Sequence, residues 1–301
     1  MARFISAVAA RFVIALPYLW LLVFFLAPFL IVFKISLSEP ALSMPPYQPV
    51  FDLFAGFPAL FEKLGALSFG NYLWLFDDPL YVNAYLSSIW IAGVSTLITL
   101  AVGYPIAYGM ARAPASIRPT LLMLVILPFW TSFLIRVYAW IGILKPEGLL
   151  NQFLMFLGVI DEPLEWLLFS DFSVILAFVH LYTLFMVVPI FNTMMRIDRS
   201  LIEAAYDNGA TGLQTLTNVI IPLTKPGIMI GSIFVVTLVM GDFITVRFMS
   251  GSQKANVGRL ISNDIALLQY PSAAATAVIL LITVLLVISI LLRFVDIRKE
   301  L

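Results

Sequence analysis

Long apolar runs separated by short polar segments pattern the whole chain. Six runs reach the roughly 20 apolar residues needed to cross a hydrocarbon core of about 30 Å. They lie near 13–37, 84–110, 119–143, 173–195, 227–248 and 273–293. Uninterrupted apolar runs predict helices, which satisfy their backbone groups internally. The predicted fold class is all-α, a polytopic membrane protein with six transmembrane helices forming a single domain over residues 1–301. The first run follows Arg3 and Arg11, as in a signal peptide. It is too long for one and no small-residue cleavage site follows, which predicts an uncleaved first span. Pro28, Pro105, Pro128 and Pro189 lie inside spans. Membrane helices tolerate them where neighbours or local 3₁₀ turns satisfy the freed carbonyl, and kinked helices suit a path that opens and closes.

The polar segments differ. Residues 38–83 carry Pro40, Pro45, Pro46 and Pro49, which argue against one continuous helix. The apolar patch 51–60 and YLWLF at 72–76 suit the membrane interface. Residues 144–172 hold an acidic knot, DEPLE, at 161–165. The loop 196–226 reads as two short helices. Ser200 and Glu203 fit a capping box, and Leu201 to Asn208 make about two turns. Gly209 supplies the left-handed residue that ends them. Thr211 caps a second helix to about Ile221, where Pro222 and Pro226 stop it. A two-turn helix is marginal alone in water, and Ala204 and Ala205 allow close approach. The physics leaves two readings: docking on a partner, or resting on the membrane surface.

Composition agrees with the pattern. Hydrophobic residues make up 62% and charged residues 11%, against about 25% charged in soluble domains. Mean hydropathy is +1.03. The formal net charge is zero, so no nucleic-acid partner is predicted. No cysteine and a single histidine, His180, exclude disulfides, thiolate nucleophiles and multi-histidine metal sites. No Gly-rich phosphate loop occurs, so the chain itself does not hydrolyse nucleotide. If both termini are cytoplasmic, the inner segments hold ten of the seventeen Lys and Arg, including Arg112, Arg118, Arg196, Arg199, Lys225 and Arg293. The outer side then holds eleven of the seventeen acids. This asymmetry predicts cytoplasmic termini and a cytoplasmic 196–226 loop.

The loop also carries a spaced motif. Glu203-Ala204-Ala205 is followed after three residues by Gly209, and after nine more by Val219, Ile221 and Pro222. This resembles the EAA loop of ABC-type importer permeases, with Val219 and Ile221 standing for the usual Ile and Leu. The resemblance continues in ALPYLWLLVFFLAPFLIVFKISL, DDPLYVNAYLSS, VILPFWTSFLIRVYAWIGILK and IPLTKPGI, which look like the permeases of putrescine/spermidine importers, the first permease of the putrescine systems above all. It implies a type I ABC importer permease fold in the bacterial inner membrane. It implies as partners a second, homologous permease, two ATPase subunits that bind ATP and Mg, and a periplasmic polyamine-binding protein. The chain itself would bind no cofactor or metal. The loop would be the coupling helix seated in an ATPase cleft. The coupling positions are Glu203, Ala204, Ala205 and Gly209, with Tyr206, Asp207 and Ala210 as neighbouring contacts.

A polyamine path needs carboxylates for ammonium groups and aromatic faces for cation–π contact. Asp242 lies within the fifth predicted span, and ionisable residues there are commonly functional. It needs an interhelical partner, a proton or a cationic substrate. Trp130, Tyr138, Trp140, Tyr182 and Phe243 are candidate linings. Asp264 is a candidate for steering cations or docking the binding protein. Arg136 is expected to pair or snorkel, and His180 to bond between helices. Another organic cation or small solute remains open as substrate, as does a secondary transporter driven by an ion gradient. A membrane-embedded enzyme is disfavoured by the scarcity of nucleophile–base pairs.

Overall fold

The computed structural model describes residue 13 and residues 15–51, 57–251 and 256–293. The basic tails, with Arg3, Arg11, Arg298 and Lys299, lie outside the described residues. The elements run α1 (Ala15–Ser36), β1 (Glu39–Pro40), β2 (Tyr47–Gln48), α2 (Phe57–Gly65), α3 (Gly70–Asp77), α4 (Pro79–Arg112), α5 (Arg118–Trp130) and α6 (Phe133–Leu144). They continue with α7 (Leu149–Phe156), α8 (Asp171–Met194), α9 (Arg199–Asp207), α10 (Gly212–Gly241), α11 (Phe243–Met249), α12 (Val257–Ala266) and α13 (Tyr270–Leu292). Among the described residues, five helices (α1, α4, α8, α10 and α13) are long and apolar enough to cross a membrane, and the α5–α7 segment supplies a sixth if its bent halves count as one span. The chain is therefore a helical multi-pass membrane protein.

The third predicted span, 119–143, is not one straight helix. Its two halves meet at 86°. Pro128 lies in the closing 3₁₀ turn of α5, and the backbone is extended at Thr131 and Ser132 before α6 starts. A proline removes a helical donor and clashes with the preceding turn, and here the chain breaks rather than kinks.

The chain divides into two compact units. The first contains α1, the β1–β2 pair, α2, α3 and residues 260–281. The segment after α1 turns into a short antiparallel pair, Glu39 opposite Gln48 and Pro40 opposite Tyr47, a small departure from the all-helical expectation. Asn71 Nδ2 donates to the Ser36 and Ser38 carbonyls at 2.9 and 2.7 Å. It thereby satisfies carbonyls left free at the end of α1. Lys34 donates to the Pro49 carbonyl and lies 4.6 Å from the Tyr47 ring centroid. That keeps its charge solvated by dipoles and a π face near the helix end.

The second unit is built around α8. Its residues Val174, Ala177, Phe178, Met186, Val187 and Ile190 are fully buried. Helix α10 packs on it through Gly227 and Gly231, a small-xxx-small pair of the kind that lets membrane helices approach closely. A Cβ on Gly227 would lie 2.5 Å from Thr193 Oγ1 and 2.6 Å from the Pro189 carbonyl. One on Gly231 would lie 2.8 Å from Met186 Sδ. A Cβ on Gly103 of α4 would also meet Met186, at 3.1 Å from Cγ. The Pro189 carbonyl accepts from Thr193 Oγ1 at 2.8 Å. Buried Asn151 accepts from Leu164 N at 2.9 Å and so ties the 161–165 segment to α7.

The predicted stop at Pro222 and Pro226 does not occur. The helix begun at Gly212 runs on to Gly241, passing through a π-helical turn at Leu216–Ile220. Pro222 falls just after this widened turn, where hydrogen bonding is already re-spaced. Thr224 Oγ1 donates to the Ile220 and Ile221 carbonyls at 2.9 and 3.1 Å, supplying donors beside the one that proline lacks. The fifth span also ends earlier than 248. Helix α10 stops at Gly241 and Asp242 is extended, with φ −86° and ψ 100°.

Candidate functional site

Two places collect the candidate residues of the second unit: the turn after α9 and the break between α10 and α11. Helix α9 is capped by Asp198, whose side chain accepts from Ser200 N at 3.0 Å. The expected Ser200 cap is thus displaced by two residues, because an aspartate already stands in the extended position before the helix. The bonds from Ser200 hold the Asp198 carboxyl below the usual carboxylate range. At the other end Gly209 has φ +80°. Gly209 N donates to the Tyr206 carbonyl at 2.9 Å and Ala210 N to the Ala205 carbonyl at 3.0 Å. This bond pair is a Schellman cap, which requires a left-handed residue where Gly209 stands. Thr211 then caps α10 reciprocally with Gln214, at 2.8 and 3.3 Å.

The result is a rigid corner between two capped helices. Glu203, Ala204, Tyr206, Asp207 and Gly209 are exposed, whereas Ala205 and Ala210 are half-buried. Ala204 gives the outer face a position without bulk between carboxylates. All seven sequence-predicted coupling residues therefore share one short helix and its turn.

At the α10–α11 break, Asp242 is the N-cap of α11 and accepts from Thr245 N at 2.9 Å. Its second oxygen accepts from Thr245 Oγ1 at 2.5 Å and from Tyr182 Oη at 2.8 Å. Asn256 Nδ2 donates to the Asp242 carbonyl at 3.3 Å. Asp242 is 9% exposed. Non-helical backbone inside a membrane protein persists where protein buries it or a cavity solvates it, and here side-chain donors do the solvating. Tyr182 projects from the middle of α8, so the bond joins α8 to the break. Thr245 and Asn256 were outside the sequence-predicted set. The Asp-x-x-Thr spacing, an N-cap pattern, is the signal that marks Thr245; Asn256 has no such local signal.

The other candidates are dispersed. Trp130 and Tyr138 are 70% and 53% exposed, and Tyr138 leans on Phe248 with centroids 5.2 Å apart. Trp140 Nε1 donates to His180 Nδ1 at 3.2 Å, so His180 does bond between helices. Phe243 is half-buried and packs over Gly258, where a Cβ would lie 2.9 Å from the Phe243 Cβ. Among the described residues Arg136 has no acid partner, and it is half-buried. Its guanidinium lies 5.4 and 6.0 Å from the Phe129 and Phe133 centroids, and its Nε has no hydrogen-bond partner.

Asp264 belongs to the first unit and has its own network. It accepts from Tyr81 Oη at 3.0 and 3.2 Å and from Ser272 Oγ at 3.0 Å. Burial pushes its carboxyl above the usual carboxylate range. In this conformation it clamps α12 to the starts of α4 and α13 rather than offering an open anionic surface. Among the described residues no cluster of His, Asp and Glu could hold a metal ion.

No protein-family model matches the chain. It is 40% identical over 225 residues to the spermidine/putrescine transport system permease protein PotB of Escherichia coli (strain K12), covering 74% of this chain and 81% of that protein. It is 33% identical over 284 residues to the PotB of Haemophilus influenzae, covering 94% and 93%. Two solved structures share its fold at 16% identity. One is a bacterial alginate ABC transporter in complex with an alginate pentasaccharide-bound periplasmic protein, with TM-score 0.72 over 100% of this chain and 98% of that one. The other is a bacterial ABC transporter involved in alginate import, with TM-score 0.73 over 97% and 98%. With its multi-span helical plan and its EAA corner, the chain belongs to the ABC importer permeases of the PotB family, membrane transport subunits rather than enzymes.

Proposed function

We propose that this chain forms half of the translocation path of an ATP-driven polyamine importer in the bacterial inner membrane, with both termini and the α9–α10 corner facing the cytoplasm. A second, homologous permease supplies the other half, two ATPase subunits hold ATP and Mg, and a periplasmic binding protein delivers spermidine or putrescine. The observation that carries this reading is the α9 corner. A short helix, capped at both ends, exposes Ala204, Tyr206 and Asp207, with Glu203 at the edge of the same face. A helix of this length gains stability from packing, and an ATPase cleft supplies it. In the same proposal Glu203, Ala204, Ala205 and Gly209 transmit ATPase closure to α8 and α10, with Tyr206, Asp207 and Ala210 at the contact edge.

Asp242 is the group proposed to meet the cation. The Tyr182 hydroxyl occupies it in this conformation. An ammonium is a stronger donor to a carboxylate than a phenol is. Rotation of α8 against the α10–α11 break would exchange one for the other. Tyr182, Phe243, Trp130, Tyr138 and Trp140 offer the aromatic faces.

The test uses the assembled transporter with its binding protein. ATP hydrolysis is expected to rise several-fold with spermidine or putrescine and to stay flat with neutral amino acids. Asp242→Asn is expected to lower polyamine uptake about tenfold, the loss of one charge-assisted bond, while the subunits still co-purify. Stimulation by neutral solutes alone, or full uptake by Asp242→Asn, contradicts the substrate assignment.

A further inference from the structure

A cavity of about 490 Å³ lies beside the α9 corner, wholly within the second unit. Three arginines line it: Arg112 at the end of α4, Arg118 at the start of α5 and Arg199 at the start of α9. Among the described residues, Glu203 is the one carboxylate on the lining. Arg112 and Arg118 bond to neutral groups. Arg112 Nη1 donates to Tyr108 Oη at 2.7 Å, and its guanidinium lies 5.2 Å from that ring's centroid. Arg118 Nε donates to the Ala113 carbonyl at 2.8 Å. Each guanidinium carries five donors, so these contacts leave most of the donors unused. The remaining wall is apolar, with Met194, Ile202 and Ile220.

We infer that this cavity binds the phosphate headgroup of an anionic phospholipid. Depth favours a lipid. Arg112 and Arg118 bracket the turn joining two membrane helices, so both stand where the chain leaves the hydrocarbon. Basic pockets between helices at the cytoplasmic face attract anionic headgroups, at about 1 kcal/mol for each basic residue near the surface. The lining favours it too, because guanidiniums beside methionine and isoleucine match a phosphate joined to an acyl chain better than a free carboxylate. Since α9 forms one wall, a bound headgroup braces the corner from behind, opposite the face that carries Ala204.

Binding of short-chain phosphatidylglycerol to the purified full transporter, followed by native mass spectrometry, tests this. The expected result is saturable binding that weakens about thirtyfold in Arg112→Gln/Arg118→Gln and is unchanged in Arg293→Gln, whose site lies outside the cavity. If the double variant fails to assemble, Arg112→Gln and Arg118→Gln singly are each expected to weaken binding several-fold. Native-like binding in these variants, or equal weakening in Arg293→Gln, overturns the site. Displacement by inorganic phosphate at equal concentration overturns the lipid as the source of the phosphate. Loss of ATPase co-purification with lipid binding intact makes the cavity a protein contact and overturns the inference.

Discussion

Gly227→Leu is expected to remove nearly all folded permease from the membrane. A Cβ at this position already lies 2.5 Å from Thr193 Oγ1, 2.6 Å from the Pro189 carbonyl and 2.9 Å from Ile190 Cα. Two of these three neighbours are backbone, which cannot rotate away. Even one added methyl must therefore separate α8 from α10, and overpacking of this kind costs about 1–3 kcal/mol before the rest of a leucine is placed. The separation would propagate, since α8 also meets α4 at Gly103 and the break through Tyr182. Gly93→Leu is the control, because nothing lies within 4 Å of a Cβ there. Yield of monodisperse protein is expected to fall about tenfold or more for Gly227→Leu and to stay near native for Gly93→Leu. Equal yields would remove the α8–α10 seam as the organising contact of this unit.

The second expected result concerns coupling. Gly209→Val is expected to leave ATP hydrolysis running in the assembled transporter while polyamine uptake falls to near background. At φ +80° a β-branched residue is strained, by an amount on the order of 1–3 kcal/mol. Space is not the obstacle, since nothing lies within 4 Å of an added Cβ. The backbone would relax by breaking the bonds from Gly209 N and Ala210 N to the Tyr206 and Ala205 carbonyls. That frees the end of α9 and loosens its angle to α10, so ATPase motion would no longer reach the spans. Gly209→Asn is expected to keep most of the uptake, because asparagine enters the left-handed region more readily. The ratio of polyamine carried to ATP hydrolysed decides it, and an unchanged ratio in Gly209→Val would return the corner to a passive linker.

Much of this architecture was legible in the residues. The long apolar runs marked the spans, and Thr211, Gly209 and the EAA spacing marked the corner, because caps and left-handed glycines act locally. What escaped the sequence depended on partners far along the chain. Pro222 reads as a helix stop until the π turn at Leu216–Ile220 and the Thr224 hydroxyl accommodate it. Pro128 reads as a kink, yet the chain turns by 86° there. Asp242 reads as a bare charge in a span, but Tyr182, sixty residues away, and Thr245 both bond to it. The Gly227-x-x-x-Gly231 seam went unread in the sequence, although two small residues one turn apart are a local sign of close helix approach. Asp264 reads as an acid that steers cations or docks a binding protein, and only the folded chain brings Tyr81 and Ser272 to it.

The central claim is that ATP, acting through the α9 corner, moves polyamine along a path this chain helps to form. Uptake of labelled spermidine or putrescine into proteoliposomes tests it directly, with this permease, its partner permease, the ATPase and the binding protein all present. The account predicts uptake that requires ATP and the binding protein, persists when ion gradients are collapsed, and is lost with Gly209→Val. Uptake by the isolated chain under an ion gradient, without ATP, would contradict it.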